Sequence, residues 1–188
     1  MEETKYLSMQ EYCELFEHII LAEYDNLFQN GDLRRDLGLD NHQTGRFAVE
    51  YLSVALYLLE DLLPDSRFSA EIQGEIISTV RNQVFRRILR GSAPEGAEAQ
   101  YILYSLKRGM TFAQKYQRND ETMKLLIEDC LDQAQLTDAV ARLPQSLYLM
   151  QLLPGLVQLF CDLVCSAQAE TEGELRFRIE MPSAETNE

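Results

Sequence analysis

The chain has no tryptophan and only two histidines among its 188 residues. The missing tryptophan argues against the helical repeat of about 34 residues that carries it as a marker, and no other internal repeat is visible. The two histidines, His18 and His42, adjoin no distinctive serine or cysteine, so a nucleophile paired with a histidine base is hard to assemble. Nothing in the residue pattern supports catalysis, and we expect a non-enzymatic protein.

Several catalytic and phosphate-binding motifs are missing, and so is any domain linker. The sequence contains no glycine-rich phosphate-binding loop and neither a G-x-S-x-G nor an H-E-x-x-H element. No stretch rich in proline, glycine and serine divides it. We therefore expect one helical domain over residues 1–169, a strand extension over 170–181 and a disordered tail over 182–188.

Positive charge is scarce. The 17 basic side chains are outnumbered by 31 acidic ones, which gives a formal net charge of -14. Nucleic acid binds basic surfaces through counterion release, so we expect no nucleic-acid partner. The first residues, including Glu2, Glu3 and Lys5, lack the features of a signal peptide. We expect an acidic cytoplasmic protein.

The four cysteines match neither a disulfide framework nor a closed zinc site. Cys161 and Cys165 share a helical face, but a structural zinc ion needs four ligands and Cys130 offers only a third. Glu14 and His18 lie one turn apart on the first helix, yet a di-iron bundle needs two Glu-x-x-His elements and the sequence has none. We expect no metal and no cofactor.

Two segments are apolar round nearly their whole circumference. In residues 147–169 the polar Gln158, Asp162 and Ser166 form one narrow stripe, and residues 47–63 have the same character. A helix of this kind must be covered by other helices. The prediction is an all-α, single-domain bundle of about seven helices around two central apolar helices, with a short C-terminal β-strand.

Caps and prolines place the helix ends. Ser8 and Glu11 form a capping box at the start of the first helix. Thr44 is expected to cap the first apolar helix, and Pro64 ends it. At Pro154 two alternatives stay open: two helices joined there, or one kinked helix.

The second apolar segment is interrupted too often for a membrane span. A bilayer needs roughly 20 consecutive apolar residues. Five residues break the run: Gln151, Pro154, Gly155, Gln158 and Asp162. We expect no transmembrane helix.

Residues 81–118 form a basic segment, with 8 basic and 2 acidic side chains. It covers the end of one helix and a further helix expected to start at Pro94. One interpretation is a solvated surface that pairs loosely with acidic neighbours. The other is a site for an anion or an acidic partner. The candidate ligand-binding residues are Arg86, Arg90, Tyr104, Arg108 and, from the apolar helix, Asp162.

Residues 174–181 alternate strictly between apolar and polar side chains, which is the period of a half-buried strand. A lone strand leaves its backbone polar groups unpaired, so it favours pairing with a second copy or with a partner's strand. The alternatives are a strand that covers a groove and a tail packed on its own domain. Leu175, Phe177 and Ile179 are the candidate partner-binding residues.

These patterns lead to two functional hypotheses. The first is a helical interaction or regulatory module that docks a protein partner, with homodimerisation through the C-terminal strand and the helices beside the core. The alternative is a sensor or carrier of an anionic or amphipathic small molecule, with a pocket between the two apolar helices.

Overall fold

The computed structural model describes residues 3–91, 120–138, 140–170 and 175–181, and within them it is mostly helical. The helical class predicted from the sequence is confirmed. The elements of these residues are, in order, β1 (Glu3–Ser8), α1 (Met9–Gln29), α2 (Gly31–Asp36), α3 (Asn41–Leu62), a 3-10 turn (Leu63–Asp65), α4 (Ala70–Gly91), α5 (Asp120–Gln133), α6 (Leu143–Ser166), β2 (Ala167–Glu170) and β3 (Arg176–Met181). The helix expected to start at Pro94 and the tail 182–188 lie outside the described residues.

Helix α3 is the central helix. Every residue from Phe47 to Leu59 is buried, on all sides of the helix, including the polar Glu50 and Ser53. Such a helix needs neighbours all round it, and α1, α4, α5 and α6 each pack against it. The prediction for this apolar segment is confirmed.

The start of α3 differs from the prediction. Asp40, and not Thr44, is the capping residue: its Oδ1 accepts a hydrogen bond of 2.7 Å from the backbone N–H of Gln43. The Gln43 side chain accepts in return from the Asp40 N–H at 3.0 Å. This reciprocal pair satisfies two backbone donors and lets the helix begin at Asn41.

The expectation of a second central helix is wrong. Helix α6 runs unbroken through Pro154, so the alternative of two helices joined there is wrong. Only one side of it is buried, and in its most apolar stretch of 18 residues 28% are covered. The buried residues recur every three to four positions: Gln145, Leu149, Leu153, Leu156, Phe160 and Val164. An apolar pattern shows that a surface avoids water, but not whether its own domain covers it.

The C-terminal strand is present but is not alone. β3 is the middle strand of a three-stranded antiparallel sheet with the order β1-β3-β2. Ser8 of β1 is opposite Arg176, and Ala167 of β2 is opposite Ile179. Both edges of β3 are therefore occupied by the same chain, which removes the unpaired backbone groups that favoured a strand from a second copy.

Aromatic side chains hold this sheet on the helices. The ring of Phe177 stacks on Tyr12 of α1 with centroids 4.2 Å apart, and it meets Phe68 edge-on at 5.5 Å. The Tyr12 hydroxyl donates a hydrogen bond of 3.1 Å to the carbonyl oxygen of Leu163 in α6. The sheet thus ties the two described ends of the chain to α1 and α6.

Candidate functional site

The outward side of α6 is an exposed apolar surface, here called the outer face. Its largest side chains remain open to solvent: Leu143 is 56% exposed, Leu147 50%, Met150 54% and Leu159 50%. Leu143, Leu147 and Met150 are three to four residues apart and share one side of the helix, whereas Leu159, nine residues after Met150, lies at the opposite edge of the exposed surface. The outer face consists of the exposed residues Leu143, Pro144, Leu147, Met150, Gln151, Pro154, Gly155, Gln158, Leu159, Asp162 and Cys165.

The outer face carries almost no charge. Asp162 is its one ionisable carboxylate, and the Oδ1 of that residue accepts a hydrogen bond of 2.8 Å from Gln158. No lysine or arginine belongs to the face. The outer face is thus nearly neutral, whereas the whole chain has a net charge of -14.

Polar bonds on the inner side fix the rotation of α6. Gln145 is buried and donates to the carbonyl oxygen of Leu37, and the Tyr148 hydroxyl bonds to Glu23 of α1. At the N-terminal end, Arg142 forms ion pairs with Glu128 and Asp132. Because these bonds anchor the opposite side, the outer face is held toward solvent.

Helix α6 is also long and apolar enough to cross a membrane, judged by length and composition alone. That is weak evidence for a span, because core helices of soluble proteins meet the same criterion. Here the helix supplies Leu153, Phe160 and other side chains to the core. Inserting it into lipid would withdraw them.

A second candidate site is a polar cleft of about 460 Å³ between α1 and α4, here called the α1–α4 cleft. It lies on the surface, and not between the two apolar helices where a pocket was expected. Acidic groups line it from α1 and basic groups from α4. The lining residues are Gln10, Glu14, Glu17, His18, Leu21, Ala22, Asp25, Gln83, Arg86 and Arg87.

The polar groups of the α1–α4 cleft are incompletely paired. Both amide atoms of Gln83 are buried and, within the described residues, have no hydrogen-bond partner. Among the described residues, neither Arg86 nor Arg87 has a carboxylate within ion-pair distance. Sequence reasoning found Arg86 through the basic segment but missed Gln83, because an uncharged amide on a charged helix gives no distinctive signal.

The structure separates the predicted ligand-binding residues. Arg86 lines the α1–α4 cleft, whereas Asp162 lies on the outer face of α6. Tyr104 and Arg108 lie outside the described residues, and so does the side chain of Arg90. In the part of the chain that is described, no three His, Cys, Asp or Glu side chains are grouped closely enough to hold a metal ion.

The predicted partner-binding residues of the strand face inward. Phe177 and Ile179 are buried in the core, and Leu175, just before β3, is half-buried. This arrangement corresponds to the alternative of a segment packed on its own domain. A partner that used these side chains would have to displace Tyr12 from Phe177.

Comparisons of the chain with protein-family models, with curated proteins and with solved structures find no match. Function must therefore be inferred from the outer face of α6 and the α1–α4 cleft.

Proposed function

We propose that this protein is a non-enzymatic helical interaction module that docks the apolar surface of a protein partner on the outer face of α6. The observation that carries the proposal is the row of three half-exposed large apolar side chains, Leu143, Leu147 and Met150, on a helix that is anchored through its other side. Monomeric proteins rarely leave contiguous apolar patches of this kind uncovered.

Burial of these side chains supplies part of the free energy of docking. Complete burial of a Leu or Met side chain contributes about 1.5–3 kcal/mol, so covering the exposed half of each contributes about 1 kcal/mol. Three such side chains supply about 3 kcal/mol before the entropic cost of association is counted. Because the face has no basic side chain, a protein fits it better than a nucleic acid does.

The test uses a photo-crosslinking amino acid placed in the full chain and expressed in its own cells. At position 150, in the middle of the outer face, we expect discrete crosslinked partners. The matched control is position 71, where Glu71 is exposed on α4. The additional substitution Leu147→Glu should abolish the products at 150, because a charge in the face opposes burial. Equal products at 150 and 71, or products that survive Leu147→Glu, would contradict docking on this face.

A specific observation supports a second function for the α1–α4 cleft. The buried, unpartnered amide of Gln83 lies beside Arg86 and Arg87, with Glu14 and Glu17 on the other wall. A buried amide without partners is costly, and a bound polar molecule would remove that cost. The cleft fits a small ligand that carries both a negative and a positive group.

Native mass spectrometry of the purified protein tests this second function. We expect a small molecule retained at one per chain and lost in the Arg86→Gln variant. The control, Arg67→Gln, changes an exposed arginine that does not line the cleft. A protein purified without added mass, which also gains none on incubation with an equimolar amino-acid mixture, would rule out this site.

A further inference from the structure

The α1–α4 cleft is an elongated site. Its α1 wall extends from Gln10 to Asp25, a rise of about 22 Å along the helix. In the part of the chain that the structure describes, its α4 wall extends only from Gln83 to Arg87, a rise of about 6 Å. The volume of about 460 Å³ is that of a small-molecule site. The ligand that fits it is long and thin.

Helices α1 and α4 run in the same direction along the cleft. The Cys13 thiol lies 4.0 Å from the carbonyl oxygen of Ile76, which places these two residues side by side. In an antiparallel arrangement Gln83, seven residues past Ile76, would be level with position 6, before α1 begins. In the parallel arrangement Gln83 is level with about position 20 of α1, inside the cleft, and Arg86 with about position 23.

This alignment separates the charges of the cleft into two ends. Glu14 and Glu17 provide two carboxylates toward the N-terminal end. Arg86 and Arg87 are at the other end, where Asp25 also lines the cleft, so two guanidinium groups face one carboxylate. Measured along the helix axes, the acidic pair and the arginine pair are roughly 9–15 Å apart. A ligand that uses both ends must cover this distance.

The unpartnered amide of Gln83 lies between the two ends. Its Oε1 and Nε2 are both buried, and neither has a hydrogen-bond partner within the described residues. A side-chain amide offers an acceptor and a donor side by side. In an extended peptide, the N–H and the C=O of one residue point to the same side and form a pair of bonds with one partner. Such a residue satisfies both atoms of Gln83 at once and removes the cost of their burial.

We propose that the ligand of the α1–α4 cleft is a short peptide of three or four residues, bound in extended form along α1. Its N-terminal ammonium group pairs with Glu14 and Glu17. One central residue bonds to the amide of Gln83 through its backbone N–H and C=O. Its C-terminal carboxylate pairs with Arg86 and Arg87. This inference rests on the ligand-binding function proposed for the cleft.

Length distinguishes a peptide from a free amino acid. An extended chain covers about 3.3–3.6 Å per residue, so three or four residues cover about 10–14 Å and reach both ends of the cleft. A single amino acid reaches only one end and leaves either the acidic pair or the arginine pair without a partner. All of these contacts involve the termini and the backbone of the ligand. The cleft therefore selects length and free termini more than side-chain sequence.

Calorimetric titration of the full chain with trialanine tests the peptide assignment. We expect one trialanine per chain. Alanine, N-acetyl-trialanine and trialanine amide should each bind at least tenfold more weakly, because each loses the contacts at one end. In Arg87→Gln, the difference between trialanine and its amide should shrink, because that substitution removes a partner of the carboxylate. The control Arg67→Gln lies outside the cleft and should leave the difference unchanged.

A substitution at Gln83 separates binding from folding. Gln83→Leu removes two buried atoms that have no partner within the described residues, so it should not lower the free energy of unfolding. It should weaken trialanine binding at least tenfold. Gln158→Leu, which changes an exposed glutamine of α6, is the control and should bind trialanine normally. Unchanged binding in Gln83→Leu would refute the backbone contact.

The peptide assignment and the ligand-binding function fail in distinguishable ways. If free amino acids bind as tightly as trialanine, or if trialanine amide binds as tightly as trialanine, the cleft is a ligand site but not a site for short peptides. If neither trialanine nor the amino-acid mixture binds, and the purified protein carries no added mass, both proposals are wrong.

Discussion

At the scale of residues, the stack of Tyr12 on Phe177 connects the sheet to the helices. It joins α1 to β3, and Tyr12 also reaches α6 through the carbonyl oxygen of Leu163. Burial raises the pKa of both Tyr12 and Tyr51 above the ordinary tyrosine range, and it raises the pKa of Cys13 to about 12. These groups are neutral parts of the core and not reactive side chains.

The first prediction concerns stability at high pH. Each of the three groups has a higher pKa folded than unfolded, so the unfolded state loses its proton first as pH rises. Stability is therefore complete below about pH 8. It falls above that pH first through Cys13 and above about pH 10 also through the tyrosines, by about 1.4 kcal/mol per pH unit for each titrating group. Urea unfolding between pH 8 and pH 11 measures this loss.

A phenylalanine variant supplies the control for the alkaline loss. Tyr51→Phe keeps the buried ring and removes the hydroxyl that donates to the carbonyl oxygen of Ile20 at 3.1 Å. It should cost about 1 kcal/mol at neutral pH and should flatten the decline above pH 10. Stability that stays constant up to pH 11 would contradict the burial of these groups.

The second prediction concerns the different rates at which the cysteine thiols react. Cys165 is exposed on the outer face, whereas Cys13 and Cys130 are buried. At pH 8 and low protein concentration, a thiol reagent should modify Cys165 first, and Cys13 only after denaturation, because burial holds its thiol protonated. Peptide mass spectrometry measures the extent of modification at each cysteine. Similar native rates at Cys13 and Cys165 would be inconsistent with the structure.

At the scale of elements, α6 has two sides with different roles. Leu153 and Phe160 on the inner side are core residues, while Leu159 on the outer side is half-exposed. Both sides are apolar, which is why the sequence indicated complete burial. Cap chemistry was more informative: the predicted box of Ser8 and Glu11 is present at α1.

The third prediction compares two leucines of α6. Leu153→Ala should lower the free energy of unfolding by about 2–5 kcal/mol, because it leaves a cavity in the core. Leu159→Ala should change it by less than about 0.5 kcal/mol when measured at dilutions where the chain is monomeric. Urea unfolding of both variants is the measurement. Equal losses would mean that both sides of α6 are covered within one chain.

The sheet shows what local sequence patterns miss. The alternation over residues 174–181 predicted β3 correctly, because that period is local. Its neighbours gave little signal: β1 buries only Leu7 among the side chains described, and β2, Ala-Gln-Ala-Glu, resembles a continuing helix. Their strand conformation depends on pairing across the length of the chain, which propensity alone does not reveal.

At the scale of the whole molecule, the sheet joins segments from both ends of the described chain. β3 lies between residues 3–8 and 167–170, and its Phe177 and Ile179 complete the core. The strand is therefore part of the folded body and is needed with or without a second copy. The surface available for association is on α6.

The fourth prediction is that a chain ending at Ala169 is strongly destabilised even as a monomer. It loses the middle strand and the buried Phe177, whose removal alone costs about 3–5 kcal/mol. A chain ending at Met181, the last residue of β3, is the control and should match the full chain. Urea unfolding at low concentration compares the three. Equal stability of the full chain and the Ala169 truncation would refute the placement of β3 in the core.

The most direct test of the central claim, that the outer face of α6 is open to solvent, is maleimide labelling of Met150→Cys and Leu153→Cys in dilute protein. The thiol at 150 should react nearly as fast as a free thiol and the one at 153 far more slowly, because Met150 is exposed and Leu153 is buried. Equally slow labelling at both positions would show that the chain itself covers the face and would contradict the account.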